Sequence, residues 1–128
     1  MARTHAAQTE RTHATKTHNL GSYETLTSAI AKARGLMFRK RIDKPLLFIL
    51  NSESRIAGSI HSFFVFMRFD AIYLDSKGTI VDLIPNIHPF TPLIVPKKPA
   101  KYLIEARSGT ITAHKLRLND KVKPPIKK

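Results

Sequence analysis

Five ionisable side chains stand in or beside apolar segments of this chain: Arg34, Arg39, His61, Asp70 and Glu105. A charged group persists in such a setting only when it is paired or hydrogen-bonded. One reading brings some of the five to a pocket mouth, where Arg34 or Arg39 holds an anion through its planar fork. A structural reading uses them instead as ion pairs tying helix to sheet, Arg39 to Asp70 or Arg34 to Glu105. A third makes His61 a general base oriented by Asp70 or Glu105, in a hydrolase-like enzyme. On one straight strand, however, His61 and Asp70 would lie roughly 30 Å apart. Ser59 and Ser62 flank His61, but neither sits in a Gly-x-Ser-x-Gly elbow. No catalytic residue is assigned, and a binding protein is favoured over an enzyme.

Other chemistry has less support. His61, His88, His114, Asp70 and Glu105 show neither His-x-His nor His-x-x-x-His spacing. No metal site is therefore expected. A glycine-rich phosphate loop and a dinucleotide fingerprint are both missing, so no cofactor is expected.

Charge suggests a class of partner. The chain carries 22 Lys and Arg against 9 Asp and Glu, a formal charge of +13. Such an excess favours a small anionic ligand or nucleic acid. The basic residues cluster as Arg39-Lys40-Arg41 with Lys44, as Lys97-Lys98 with Lys101, and from Lys115 through Arg117, Lys121 and Lys123 to Lys127-Lys128. On one shared face they would track a phosphate backbone, through Arg39, Lys40, Arg41, Lys97, Lys98 and Lys101 above all. Aromatics available for base stacking are few (Tyr23, Tyr73, Tyr102 and Phe90), so such contact would be non-specific. Cysteine is absent, which argues against a disulfide-stapled secreted scaffold. Neither a run of about 18 apolar residues nor a signal-peptide core in the first twenty residues is visible. The expectation is a cytoplasmic protein with no membrane partner.

The elements that must position these side chains fit one domain of 128 residues. Residues 1–20 read as a disordered low-complexity tail, in which Arg3-Thr4-His5-Ala6 recurs as Arg11-Thr12-His13-Ala14. Residues 21–123 form the globular part, and 124–128 a basic tail. The centre is expected between Ser59 and Asp75, where Phe63 to Met67 make an unbroken apolar run. That run predicts a strand covered on both faces. Tyr23 to Leu26 reads as a short strand. Thr27 or Ser28 then caps a helix that presents Ile30, Ala33 and Met37 and closes at Gly35. Leu46 to Leu50 is a buried strand and Asn51 to Ser54 a turn. Asp75-Ser76-Lys77-Gly78 joins Ala71–Leu74 to Thr79–Ile84 as a hairpin, which Pro85 ends. The prolines between Asn86 and Pro99 enforce an extended connection. Lys101 to Ala106 is a strand, Arg107 to Gly109 a turn, and Ile111 to Leu118 either a strand or a helical turn. Asn119 to Lys121 turns again, and Val122 returns to the core.

In this order stand Arg34-Gly35-Leu36-Met37-Phe38-Arg39, Ser59-Ile60-His61 with Phe63-Phe64-Val65, Phe69-Asp70, and Leu74-Asp75 with Gly78. Ala100-Lys101-Tyr102, Ile104-Glu105, Gly109 and Asn119-Asp120-Lys121-Val122 follow. Over residues 27 to 123 the pattern resembles the domain of unknown function 192 family in its archaeal form. The resemblance implies a small single-domain α+β fold, rich in β structure. Its sheet would be mixed and mostly antiparallel or barrel-like, with one short N-terminal helix. It implies no activity. The chain departs from the usual pattern at Ser62, Arg68, Phe90, Arg107 and Asn119. The function expected is a small module binding an anionic or polar ligand near the central strand. Nucleic-acid backbone binding and hydrolase-like catalysis are the alternatives.

Overall fold

The computed structural model describes residues 14–26, 35–37, 39–54 and 65–123. The strands are β1 (Thr17–His18), β2 (Glu24–Leu26), β3 (Leu46–Ser54), β4 (Phe69–Leu74), β5 (Ile80–Ile87), β6 (Ala100–Arg107) and β7 (Lys121–Val122). A helical turn, α1 (Thr110–Ala113), follows β6. Five strands form one sheet in the order β2-β3-β6-β4-β5. Only β2 and β3 run parallel; the other neighbours are antiparallel. The sheet is therefore mixed and β-rich, as expected. It is open: β2 and β5 are its two edges, and no pairing among the described residues closes it into a barrel.

Strand periodicity divides the core between the two faces of this sheet. One face carries Leu46, Phe48, Leu50, Phe69, Ala71, Tyr73 and Leu103, with Leu26 and Leu36 packed on them. The other carries Leu47, Ile72, Leu74, Ile80, Ile104 and Ala106 and is covered by Leu116 and Val122. Every residue of β4 is buried, as a strand packed on both sides requires.

The strand enclosed on both faces begins six residues later than the run of phenylalanines suggests. Val65 to Arg68 lie outside any strand, and Phe66 is 58% exposed. Phe63, Phe64 and the remainder of the Ser59–Phe64 stretch lie outside the described residues. Asp70, near the start of this strand, is 0% exposed. Its two carboxylate oxygens accept the backbone N–H groups of Asn86 (2.8 Å) and Ile111 (2.9 Å). A carboxylate satisfied in this way is tolerated inside a sheet.

Other boundaries also move. Asn51 to Ser54 are not a turn; β3 runs through them and reaches Ala100 of β6 after a register irregularity beyond Ile49. Pro85 does not end β5, because β5 is an edge strand and its missing N–H leaves no ladder bond unmade. Beside it the register slips, with Phe69 facing Ile87 but Ala71 facing Ile84, and Asn86 takes φ 54°. That is a bulge. The hairpin forms as expected: Asp75 Oδ1 accepts from Lys77 and Thr79, and Gly78 takes φ 83°. The segment after Gly109 resolves as a helical turn. The expected helix from Thr27 to Arg34 lies outside the described residues.

Two residues of the supposed tail are ordered into a strand. β1 pairs in parallel with β7. Beside it the His18 imidazole meets Asp120 Oδ2 at 2.8 Å, and Lys16 N donates to Asp120 Oδ1 at 3.2 Å. Residues 1–13 and 124–128 lie outside the described residues.

Candidate functional site

One cross-strand row on the Phe48 face holds the chemistry. Glu24 of β2 pairs with Leu46 of β3, Leu46 with Glu105 of β6, Glu105 with Ala71 of β4, and Ala71 with Ile84 of β5. Directly opposed residues share a face, so Glu24 and Glu105 point the same way with Leu46 between them. Glu24 sits at the edge strand and Glu105 on the central one.

Glu105 is 5% exposed. Burial pushes its carboxyl up to about 8, against the opposing pull of the Arg39 guanidinium. Near neutral pH it is therefore largely protonated and both donates and accepts. The backbone turn at Gly35 lies directly over it. A Cβ placed at Gly35, which has φ 48°, would stand 3.2 Å from Phe48 Cζ and 3.5 Å from Glu105 Oε1. A side chain there would strain the backbone at this positive φ and press on the Phe48 ring.

Arg39 anchors this turn. Its Nε donates to Gly35 O at 2.9 Å, and its two terminal nitrogens donate to the two carboxylate oxygens of Glu24, each at 2.9 Å. This bidentate bond holds the Glu24 carboxyl below its ordinary range and the guanidinium above its own. Tyr73 is the diagonal neighbour of Glu105 on β4 and is fully buried. Its phenol is raised by burial first, then by the charges of Glu105 and Asp82. Asp82, opposite Tyr73, accepts Lys97 N at 2.8 Å and so pins the proline-rich connection to the sheet.

Of the five side chains singled out in the sequence, the fold brings Arg39 and Glu105 together. Arg39 does not pair with Asp70; it pairs with Glu24, which pattern reading missed. The signal for Glu24 was the short apolar end of β2, which fixes which of its residues face the core once β2 is laid beside Leu46. Asp70 lies on the opposite face from Glu105, since it pairs with Ala106 while Ala71 pairs with Glu105. Both its oxygens serve the backbone, so its role is structural. Arg34 and His61 lie outside the described residues. Tyr73 and Asp82 read as ordinary strand positions and became visible only with the register.

The basic clusters are divided. Arg39 to Lys44 lead into Leu46, at the Glu105 end of β6, whereas Lys97, Lys98 and Lys101 gather at the Ala100 end. The eight residues of β6 separate them by roughly 25 Å. Arg41 is paired with Asp43 at 2.8 Å, and Lys101 Nζ donates to Leu50 O at 2.8 Å. Lys40, Lys97 and Lys98 are exposed. Among the described residues, no group of three or more acids and histidines could hold a metal, and no helix is long and apolar enough to cross a membrane.

The profile of the DUF192 family, described as "Uncharacterized ACR", matches residues 9–124. A UPF0127 protein of Pyrococcus abyssi is 39% identical over 102 residues, which cover 80% of this chain and 85% of that protein. A UPF0127 protein of Thermococcus sibiricus is 40% identical over 89 residues; these cover 70% of this chain but only 56% of that longer relative. Among solved structures, a protein of unknown function from Novosphingobium aromaticivorans superposes with a TM-score of 0.71 at 18% identity, covering 77% of this chain and 71% of its own. That likeness is one of fold. With the profile spanning nearly the whole chain and the relatives archaeal, the chain belongs to the domain of unknown function 192 family as an archaeal-type member.

Proposed function

We propose that the protein is a small binding module, with the Glu105 row as its site and a small polar or anionic molecule as its ligand. The observation that carries this reading is a carboxyl only 5% exposed beneath the Gly35 turn, which burial keeps protonated up to about pH 8. Strongly shifted groups gather at functional sites. A neutral carboxyl offers one donor and one acceptor to a ligand carbonyl, amide or carboxylate. The nearby Arg39 guanidinium adds a positive field favouring negative charge. Arg39 itself is occupied by Glu24 and takes the role of holding the Gly35 turn over the site.

The test is a titration of the full-length protein with small carboxylates, amides and polyols, followed by backbone amide NMR. Binding should perturb Ala71, Tyr73 and Leu103, and Glu105→Gln should weaken it while leaving the remaining spectrum in place. Perturbations that avoid this face, or an unchanged affinity in Glu105→Gln, would refute the assignment. The separation of the basic clusters along β6 gives continuous nucleic-acid tracking less support than a compact site.

A further inference from the structure

A cleft of about 190 Å³ opens at the Arg107 end of β6, beside the turn that carries Ile42 to Pro45. Leu20, Ile42 and Pro45 supply the apolar part of its lining, and Lys44, Arg107 and His114 bring basic side chains from three separate segments. Its acid, Asp43, is already engaged by Arg41 Nε at 2.8 Å. Arg107 is tethered once through its side chain and once through its backbone. Its Nε donates to Ile42 O at 2.6 Å, and its own carbonyl accepts the Thr110 hydroxyl at 2.7 Å. No carboxylate among the described residues pairs with its guanidinium. The terminal nitrogens thus remain as a preoriented fork.

We propose that this cleft is a second ligand site, distinct from the Glu105 row, and that it binds the phosphate group of a small molecule. Arg107 supplies the bidentate fork, Lys44 the second positive charge and His114 the third donor. Three donors from three segments suit the terminal oxygens of a tetrahedral anion better than a flat carboxylate. The cleft is large enough for a phosphate group with a short organic body and too small for a polymer to thread.

Inorganic phosphate and glycerol 3-phosphate, titrated separately into the full-length protein at constant ionic strength, test this through backbone amide NMR. Shifts should converge on Lys44, Arg107, Thr110 and His114. Lys44→Gln, at an exposed position, and Arg107→Gln should each weaken binding about tenfold, as expected for loss of a charged hydrogen bond. Tighter binding of glycerol 3-phosphate would identify an organic phosphate as the ligand; equal affinity would identify the free anion. Shifts spread equally over Lys77, Lys97 and Lys98 would overturn the proposal. So would acetate matching phosphate, wild-type affinity in Lys44→Gln, or a short RNA binding the cleft more tightly than either phosphate.

Discussion

Glu24 and Glu105 lie in the same cross-strand row, on the same sheet face, with Leu46 between them, and their carboxyl groups are shifted in opposite directions. Arg39 accounts for the contrast. It donates two hydrogen bonds to Glu24, whose side chain is 40% exposed, whereas it reaches Glu105 only through its field. Hydrogen bonding stabilises the charged form of one acid; desolvation disfavours the charged form of the other.

The first expected outcome concerns pH. Glu105 has a folded pKa of about 8, above its ordinary 4.5. Between these values the native state binds a proton that the unfolded chain has released. The contribution to stability is therefore full below about 4.5 and is lost as pH rises through about 8. The slope is roughly 1.4 kcal/mol per pH unit within that window. Denaturant unfolding of wild type and Glu105→Gln should diverge from pH 5 to pH 8, with the variant the more stable at the upper end. Parallel curves would show that Glu105 is charged in the folded protein.

Arg39→Gln tests the coupling across the row. Removing the guanidinium removes the charge that holds Glu105 down, so its titration should move higher, while Glu24 should return toward its ordinary value. Carboxyl carbon NMR reads both at once. In stability, Glu24→Gln should cost about 0.2–1 kcal/mol, because that pair is partly exposed. Arg39→Gln should cost more, since the Gly35 carbonyl also loses its donor.

Phenylalanines in one stretch should differ sharply. Phe69 is 1% exposed and Phe66 58%. Phe69→Ala should cost about 3–5 kcal/mol through lost burial and the cavity left behind. Phe66→Ala should cost under about 1 kcal/mol, the usual range for an exposed position. Thermal unfolding of the two variants measures the difference.

That contrast also marks how far the sequence could be read. The hairpin at Asp75–Gly78 was legible because its turn chemistry is local. The buried run at Leu46 was legible because an unbroken apolar strand has few other uses, and Lys101 to Ala106 because its alternation suits a strand. The start of β4 was misplaced because composition weights Phe63 to Phe66 above a segment containing Asp70. Nothing local reveals that two backbone N–H groups, one of them from residue 111, will satisfy that carboxylate. The row linking Glu24 to Glu105 was hidden for a related reason. It depends on β2 lying parallel to β3 and on β6 inserting between β3 and β4, both long-range pairings. Glu105 was nevertheless visible as an ionisable group set in an apolar strand, and it is buried in β6.

Asp70→Asn separates a structural carboxylate from a ligand-binding one. The substitution keeps the shape of the side chain but replaces one acceptor oxygen with an NH2 donor. Asp70 Oδ1 and Oδ2 each accept a backbone N–H, from Asn86 and Ile111. Whichever way the amide turns, one of those N–H groups will face a donor in a fully buried setting. Leaving a buried donor unsatisfied costs about 1–3 kcal/mol, and losing a hydrogen bond to a charged acceptor adds to it. Asp70→Asn should therefore lower the unfolding midpoint clearly, and hydrogen exchange should speed up at Asn86 and Ile111. Because Asp70 faces away from Glu105, ligand affinity at the Glu105 row should stay within twofold of wild type. Glu105→Gln should show the reverse, with affinity lost and stability at pH 8 gained. If Asp70→Asn instead abolished binding in a protein that remained folded, Asp70 would belong to the site and the division of labour between the two faces would be wrong.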